Sequence, residues 1–435
     1  MTIRPQKSEF ERSVAAEFPL RVLSLPGDDA LRDRRRSAFA RFDEMGLPTR
    51  RDEDFHYTDL KALMPAAKLS SLDPMAAASG IATDPVGRLA QGHHRIGRGA
   101  PDAGGLPRGV TVYSLEQALK KRPDLIGRIG EVVPDEASAV VALNTAFFAG
   151  LTIVEVEKGA KVDLPLHSTF VYQDGMPLRM DVRALFLIGD GAEVTIVNSV
   201  AGGRTAGYQV NAVVELIIGD RAKVRHVRTN NAGLASLSLH TIGARLGAGA
   251  EYDLFVLNAG SALSRTEVRV AFAGEGGRAG LRGVTLMKDE QHCDVTLMVD
   301  HAAPRCESRE LFRHVVDGSA TAVFQGKIMV KQAAQKTDGQ MASNAILLSD
   351  DAVMNNKPEL EIFADDVVCA HGATAGALDE DLLFYLQARG LPMREAQALM
   401  LQAFCGEAVE FVADDGVRDA LNQCVAQWLA ARPGA

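Results

Sequence analysis

Residues 151–164 read LTIVEVEKGAKVDL, 183–197 read RALFLIGDGAEVTIV, 212–227 read AVVELIIGDRAKVRHV and 244–257 read ARLGAGAEYDLFVL. In each, apolar and polar residues alternate with period two. β-Branched residues are enriched, and a Gly- or Asp-rich break sits in the middle. That is the pattern of short strands joined by a tight turn. One phrase recurs in all four: a small or charged turn residue, an alanine, a charged residue, an apolar residue. The alanines are Ala160, Ala192, Ala222 and Ala250, spaced by 32, 30 and 28 residues. EVRVAFAGEGGRAGL (267–281) continues the strand pattern, and FADDVV (363–368) places Ala364 in a similar turn. A repeat of roughly 20–50 residues marks a solenoid, propeller or array. Because each period holds strands and no helix, it predicts a parallel β-helix in which each coil buries its inward side chains on the next. A β-sandwich of similar hairpins is the alternative.

Outward from this core the pattern turns helical at both ends. Asp28 and Asp29 can cap a helix through ALRDRRRSAFARFDEM that stops at Gly46, with Pro48 beyond. Arg32, Arg34, Arg35 and Arg36 are expected on its solvated face. Residues 66–108, rich in Ala, Gly, Ser and Pro, read as a linker or mobile loop containing His93 and His94. VTVYSLEQALKKRPDLIGRI (110–129) reads as a strand and a short helix. After residue 376 come LDEDLLFYLQARG, REAQALMLQAFCGEAVEFV and VRDALNQCVAQWLA, three helical segments. The expected organisation is an N-terminal helical region (1–135) with its linker, a mainly β core (136–375) and a C-terminal helical domain (376–435). Helical parts at the ends would cap the open coils or dock partners.

Composition narrows the function. The chain has 435 residues and a formal charge of -9, which argues against a general binder of nucleic acid or anionic membrane. No apolar run approaches the roughly 18 residues needed to span a bilayer. The polar start, MTIRPQKSEFERS, is not a secretory signal. Cys293, Cys306, Cys369, Cys405 and Cys424 form no CxxC pair, so neither a disulfide framework nor a zinc ribbon is expected, and a cytoplasmic location is. FQGKIMV (324–330) has Gly-Lys but not the rest of a phosphate-binding loop, and GEGGRA (274–279) opens no helix, so no nucleotide site is expected.

One stretch carries chemistry: PELEIFADDVVCAHGATAGALDEDLLFYLQARG, residues 358–390. Cys369 and His371 are two apart, so on a strand they share a face. A thiolate and an imidazole are the ligand types for soft iron and for sulfide chemistry. From chemistry alone, a buried cysteine and a hydrogen-bonded turn histidine are the plainer explanation of the pair. Cys405 and Cys424 lie among Ala, Leu and Phe and read as core. Cys293 and Cys306, with His292 and His301 nearby, have no partner at ligand spacing. His226 and His240 read as outward or stacked repeat histidines.

With these residues in view the sequence resembles the SufB/SufD family of the Suf iron–sulfur cluster assembly system. PTRRDEDFHYTDL (48–60), ALNTAFFAGLTIVEVEKGAKVDLPL (142–166), the VDH at 299–301, VFQGKIMVKQAAQKTDGQMASNAILLSDDA (323–352) and PELEIFADDVVCAHGATAG (358–376) match its elements in order. Phe55 stands where the family has Trp, and His56 where it has Lys. Ala352 aligns with a cluster-handling Cys of SufB-type chains, and Gly372 with one of their Glu residues, so the SufD form is the closer one.

The resemblance implies a right-handed parallel β-helix flanked by helical parts. It implies a non-enzymatic scaffold that pairs with SufB through the β-helix and docks the SufC ATPase through its C-terminal helices. It implies a nascent Fe–S cluster at the SufB interface with His371, and Cys369 beside it, as ligands. His371 would use a neutral ring nitrogen. Cys369 would ligate, hold iron or sulfide transiently, or serve as a small interface residue. A homodimer is expected for the isolated chain. The alternatives of another class are a β-helix polysaccharide-active enzyme, for which one Trp and few Tyr are poor platforms, and a purely structural β-solenoid.

Overall fold

The repeated alanine marks a corner. In the computed structural model, which describes residues 6–65, 68–69, 84–96, 105–172, 178–202 and 207–432, each repeat is one coil of a parallel β-helix. The chain begins with α1 (Glu9–Ser24), α2 (Asp29–Met45) and α3 (Leu60–Leu63). Next come β1 (Lys68–Leu69), α4 (Pro85–Arg88), β2 (His94–Arg95), β3 (Val110–Ser114), α5 (Leu115–Lys121), α6 (Pro123–Ile126) and α7 (Ala139–Phe147). The coils follow as strand pairs: β4 (Gly150–Val156) and β5 (Leu166–Tyr172), β6 (Leu178–Ile188) and β7 (Glu193–Gly202), β8 (Gln209–Ile218) and β9 (Lys223–Asn231), β10 (Leu237–Leu246) and β11 (Glu251–Asn258). The later pairs are β12 (Leu263–Phe272) and β13 (Arg278–Met287), β14 (His292–His301) and β15 (Glu307–Val316), β16 (Thr321–Val330) and β17 (Asp338–Leu347), β18 (Val353–Ile362) and β19 (Val368–Gly376). α8 (Glu380–Ala388), α9 (Met393–Val409) and α10 (Asp415–Ala430) close the described chain. The even strands from β4 to β18 form one parallel sheet, A, and the odd strands from β5 to β19 the other, B.

Each element of the repeat has a physical role. Gly159, Gly191, Arg221 and Gly249 turn the chain with positive φ, between 56° and 69°. The alanine that follows points inward, and Ala192, Ala222 and Ala250 are fully buried. The charged residue after it points out and stacks on its counterpart one coil away: Lys161 on Glu193, Lys223 on Glu251, Arg278 on Glu307. These exposed pairs set register more than they stabilise, since such pairs are worth about 0–1 kcal/mol. Gly274 is where coils touch. A Cβ there would lie 2.2 Å from the backbone nitrogen of Ala248.

The lumen between the sheets is lined by Val, Ile, Leu, Phe and Ala from every coil. The outer faces are covered too. α7 packs with α1 and α2 onto sheet A, and α5 and α6 onto the outside of β4 and β6. α9 lies on the outside of β13 and β15, with Leu401, Cys405 and Ala408 in one apolar cluster with Val284, Leu286 and Val315. The C-terminal helices therefore flank sheet B and do not plug the final coil. Apolar side chains on the outer face of sheet B, invisible as a separate layer in the alternation, give them a surface to bury.

Two more readings change. α2 is capped by Asp28 and ends at Gly46 as expected, but Arg35 is not solvated. It is fully buried and donates to the carbonyls of Pro26 (2.6 Å) and Phe148 (2.9 Å). His226 and His240 point into the lumen, not outward. Within 66–108, residues 84–96 pack on the body, with Val86 fully buried. Residues 68–69 pair with β6, and 105–108 are described; the rest of that proposed linker lies outside the described residues.

A strap from the N-terminal region crosses the outside of sheet A. Arg265 on β12 and Gln325 on β16 both donate to the Asp54 carbonyl at 2.9 Å. Thr58 is fully buried and bonds His292 and Asp294 on β14. Lys357 on β18 pairs with Glu53 at 3.3 Å. Phe55 lies under the Arg265 guanidinium.

Two predictions follow from this core. Gly274→Ala is expected to cost about 2 kcal/mol or more, by the strain of overpacking, read as a lower urea midpoint. Burial pulls His167, His226 and His314 down to about 3 and His301 to about 4, from 6.5. The unfolded chain then takes up protons first as pH falls through 6.5. Stability is full above that pH and declines below it, by about 2 kcal/mol per histidine near pH 5. Both ring nitrogens of His314 lack a hydrogen-bond partner, so His314→Leu is expected to flatten the pH dependence. An unchanged slope would contradict a neutral buried His314.

Candidate functional site

The two ends of the coil stack differ. At the N-terminal end β3 runs antiparallel along β4, and β2 pairs with β5, so both sheets have a covered edge. At the other end sheet A stops at β18 and sheet B at β19. From Ala370 to Gly376 every residue is exposed, and none in α8 is buried. Ile362, Phe363 and Val368, at the corner between the last two strands, are 42%, 62% and 62% exposed. An edge of unpaired N–H and C=O groups beside exposed apolar side chains is a surface ready to take another strand.

Cys369 and His371 sit on this edge. β19 pairs in register with β17, which sets Cys369 against Gly339 and His371 against Met341. Alternation puts both on the lumen-facing side. Since no coil covers β19, that side is open. Cys369 is half-buried and packs on the rim of the lumen core. Burial raises its thiol pKa, the Gly339 N–H opposes this, and Asp338 and Glu310 add to it. His371 is exposed.

Beneath the pair run two columns of inward residues, Ser308–Gly339–Cys369 and Glu310–Met341–His371. Glu310 is the unexpected member. It is 3% exposed, with no well-formed hydrogen bond to either carboxyl oxygen, although Ser308 is a polar neighbour. Burial pushes its pKa up to about 8. It therefore keeps its proton at neutral pH. The parity of ESRELFRHV (307–315) already placed Glu310 inward with Ser308, Phe312 and His314, and was the available signal.

The other cysteines are inert by position. Cys293, Cys405 and Cys424 are buried, with thiols pushed up to about 12. Cys306 is fully buried and donates weakly to the carbonyls of Gly274 and Pro304. Thiols held protonated are poor nucleophiles and ligands. His93 lies 3.1 Å from His167, and His94 lies 3.3 Å from Asp163. Among the described residues, no group of three or more His, Cys, Asp or Glu side chains converges to hold a metal ion. No described helix is long and apolar enough to cross a membrane.

Comparison with known proteins completes the picture. Residues 171–404 match the family model described as SUF system FeS cluster assembly, SufBD core domain, and residues 22–68 and 96–167 match the SufBD protein N-terminal region. The chain belongs to the SufBD family of iron–sulfur cluster assembly proteins. Its relatives place it on the SufD side of that family. A SufBD family protein of Synechocystis sp. is 29% identical over 442 residues, covering 98% of this chain and 97% of its own. The iron–sulfur cluster assembly protein SufD of Escherichia coli is 29% identical over 396 residues, 88% of this chain and 90% of its own. SufD of Bacillus subtilis is 26% identical over 321 residues, 72% of each.

Glu310 generates a prediction. Its folded pKa lies above the unfolded value of 4.5, so the native state holds a proton that the unfolded chain releases as pH rises. The resulting cost to stability is absent below about pH 4.5 and grows up to pH 8, at about 1.4 kcal/mol per unit. Glu310→Gln is expected to raise the melting temperature at pH 8 and to leave it nearly unchanged at pH 4.5. Equal effects at both values would mean that Glu310 is ionised in the fold.

Proposed function

We propose that the chain is a non-enzymatic scaffold subunit of a SufBCD complex. In this reading it pairs its last coil with a SufB chain and docks a SufC ATPase through its C-terminal helices, in the cytoplasm. The observation that carries the pairing is the unpaired β18–β19 edge, which presents exposed apolar corners and two donor side chains together. Edge pairing satisfies backbone groups on both partners and creates a continuous sheet. The same edge on an isolated chain would be met by a second copy, as a two-fold homodimer.

The nascent Fe–S cluster is cargo here. Two donors, His371 and Cys369, are too few for iron sites of the usual four-ligand kind, so the remaining ligands come from the SufB side. His371, exposed on the edge, would ligate through a deprotonated ring nitrogen. Cys369 reaches the rim with a raised thiol pKa. It favours a thiolate only once the partner or iron supplies positive charge.

For SufC the argument is α8. Leu382, Phe384 and Tyr385 are 47%, 72% and 52% exposed on a helix with no buried residue, and Met393 and Leu399 on α9 are exposed too. A helix whose apolar face is uncovered takes its burial from a partner.

Anaerobic reconstitution of the three-chain complex tests this reading. His371→Ala is expected to leave the complex intact by size-exclusion chromatography and to abolish most of its iron–sulfur absorbance. Val368→Asp with Phe363→Asp is expected to weaken SufB pairing at least tenfold while sparing SufC capture, and Phe384→Asp with Tyr385→Ala to do the reverse. A full cluster yield in His371→Ala would remove the ligand role, and unchanged pairing in the charged double variant would remove the edge as the interface.

A further inference from the structure

The first coils enclose a cavity of about 50 Å³ between the sheets, far from the β19 edge. Its walls are largely apolar, with Val182, Val200, Val210 and Val214 among them, and Ser168, Ser238 and His240 supply polar atoms. At roughly 10–15 Å³ per water-sized group, it has room for about three to five such groups.

The hydrogen bonds around it all run one way. Arg228, fully buried on β9, donates from Nε to His240 Nδ1 at 3.0 Å. Arginine has no acceptor, so Nδ1 is unprotonated and the neutral ring of His240 carries its proton on Nε2. That Nε2–H has no hydrogen-bond partner, on a side chain 7% exposed. Arg228 also donates from Nη2 to Ser238 Oγ at 3.3 Å, which leaves the Ser238 hydroxyl to donate onward. A third chain begins at the Tyr252 hydroxyl. It donates to His226 Nδ1 (3.0 Å), His226 Nε2 donates to Asn198 Oδ1 (2.7 Å), and Asn198 Nδ2 donates to Ser168 Oγ (2.6 Å). Ser168 thereby also ends as a donor.

Three chains thus end in N–H or O–H groups at one cavity. Behind two of them stands a guanidinium whose hydrogen-bond partners are His240, Asn258, Thr266 and Ser238, none of them a carboxylate. Burial lowers the Arg228 pKa only to about 10, so it stays cationic. A buried charge without a counter-charge and a buried donor without an acceptor each cost free energy. One ligand corrects both.

We propose that this cavity binds a small, weakly hydrated monoanion, held by His240 Nε2–H, Ser238 and Ser168 in the field of Arg228. The apolar walls exclude strongly hydrated anions, which would lose too much solvation on entry. The size admits an ion of about three heavy atoms.

Thiocyanate is the probe, followed through its nitrile stretch in the full-length chain. Wild type is expected to bind one thiocyanate saturably, with hydrosulfide displacing it under anaerobic conditions and sulfate failing to do so. His240→Phe is expected to weaken binding at least tenfold. Ser238→Ala and Ser168→Ala keep the volume and shape of the site, and each is expected to weaken it severalfold should His240→Phe not fold. No saturable binding, or affinity unchanged in these variants, would mean that the cavity holds only water and the proposal fails.

Discussion

A stack of parallel coils ends in an unpaired strand edge on each side, and the distinctive features of this chain follow from how the two edges are treated. Backbone groups cannot be left bare without inviting another strand. The chain spends β3 and β2 on its first edge. It leaves β18 and β19 uncovered, and there it places Ile362, Phe363, Val368, Cys369 and His371. The C-terminal helices could have closed this end. They lie instead along sheet B, where Leu401 and Cys405 bury against Val284 and Val315. The open edge is thus built into the fold and not left over by it.

The lumen obeys a second constraint. Coils must interlock closely, as at Gly274, so inward positions are mostly Val, Ala, Leu and Phe. Polar residues among them are exceptions that need a reason. Arg228, His226 and Asn198 answer one another in directed hydrogen bonds. Glu310 does not, and it lies two strands below His371 in the same column. An unpaired carboxyl at that depth is a local cost of the kind proteins carry near their working surfaces.

The architecture was legible because its repeat is written in backbone requirements. Ala192, Ala222 and Ala250 had to be small, the residues before them had to turn, and the residues after them had to stack charges. The strand placing of Cys369 and His371 was legible for the same reason, since period two is local. The layer outside the coil was not. Nothing in the alternation of β13 and β15 says which outward apolar residues meet a helix much later in the chain. Arg35 was misread because a charged residue on a charged helix normally faces water; one carbonyl partner, Pro26, is local, but the other, Phe148, comes from a distant point of the chain. His226 and His240 were misread because a turn of β-helix admits polar residues inside only when several coils cooperate. That cooperation is a property of register, not of any one repeat.

The strap at residues 53–58 has a consequence for how the molecule comes into being. Its partners, Arg265, His292, Asp294, Gln325 and Lys357, lie on β12, β14, β16 and β18. Emerging early during synthesis, the strap has nothing to hold until the last coils exist, and loops of some two to three hundred residues must close for it to dock. Such long-range closures come late in folding. Docking of the strap therefore reports that the far end of the stack has formed. A truncated or stalled chain would expose Phe55 and Thr58, so the docked strap is a mark that the stack of coils has closed.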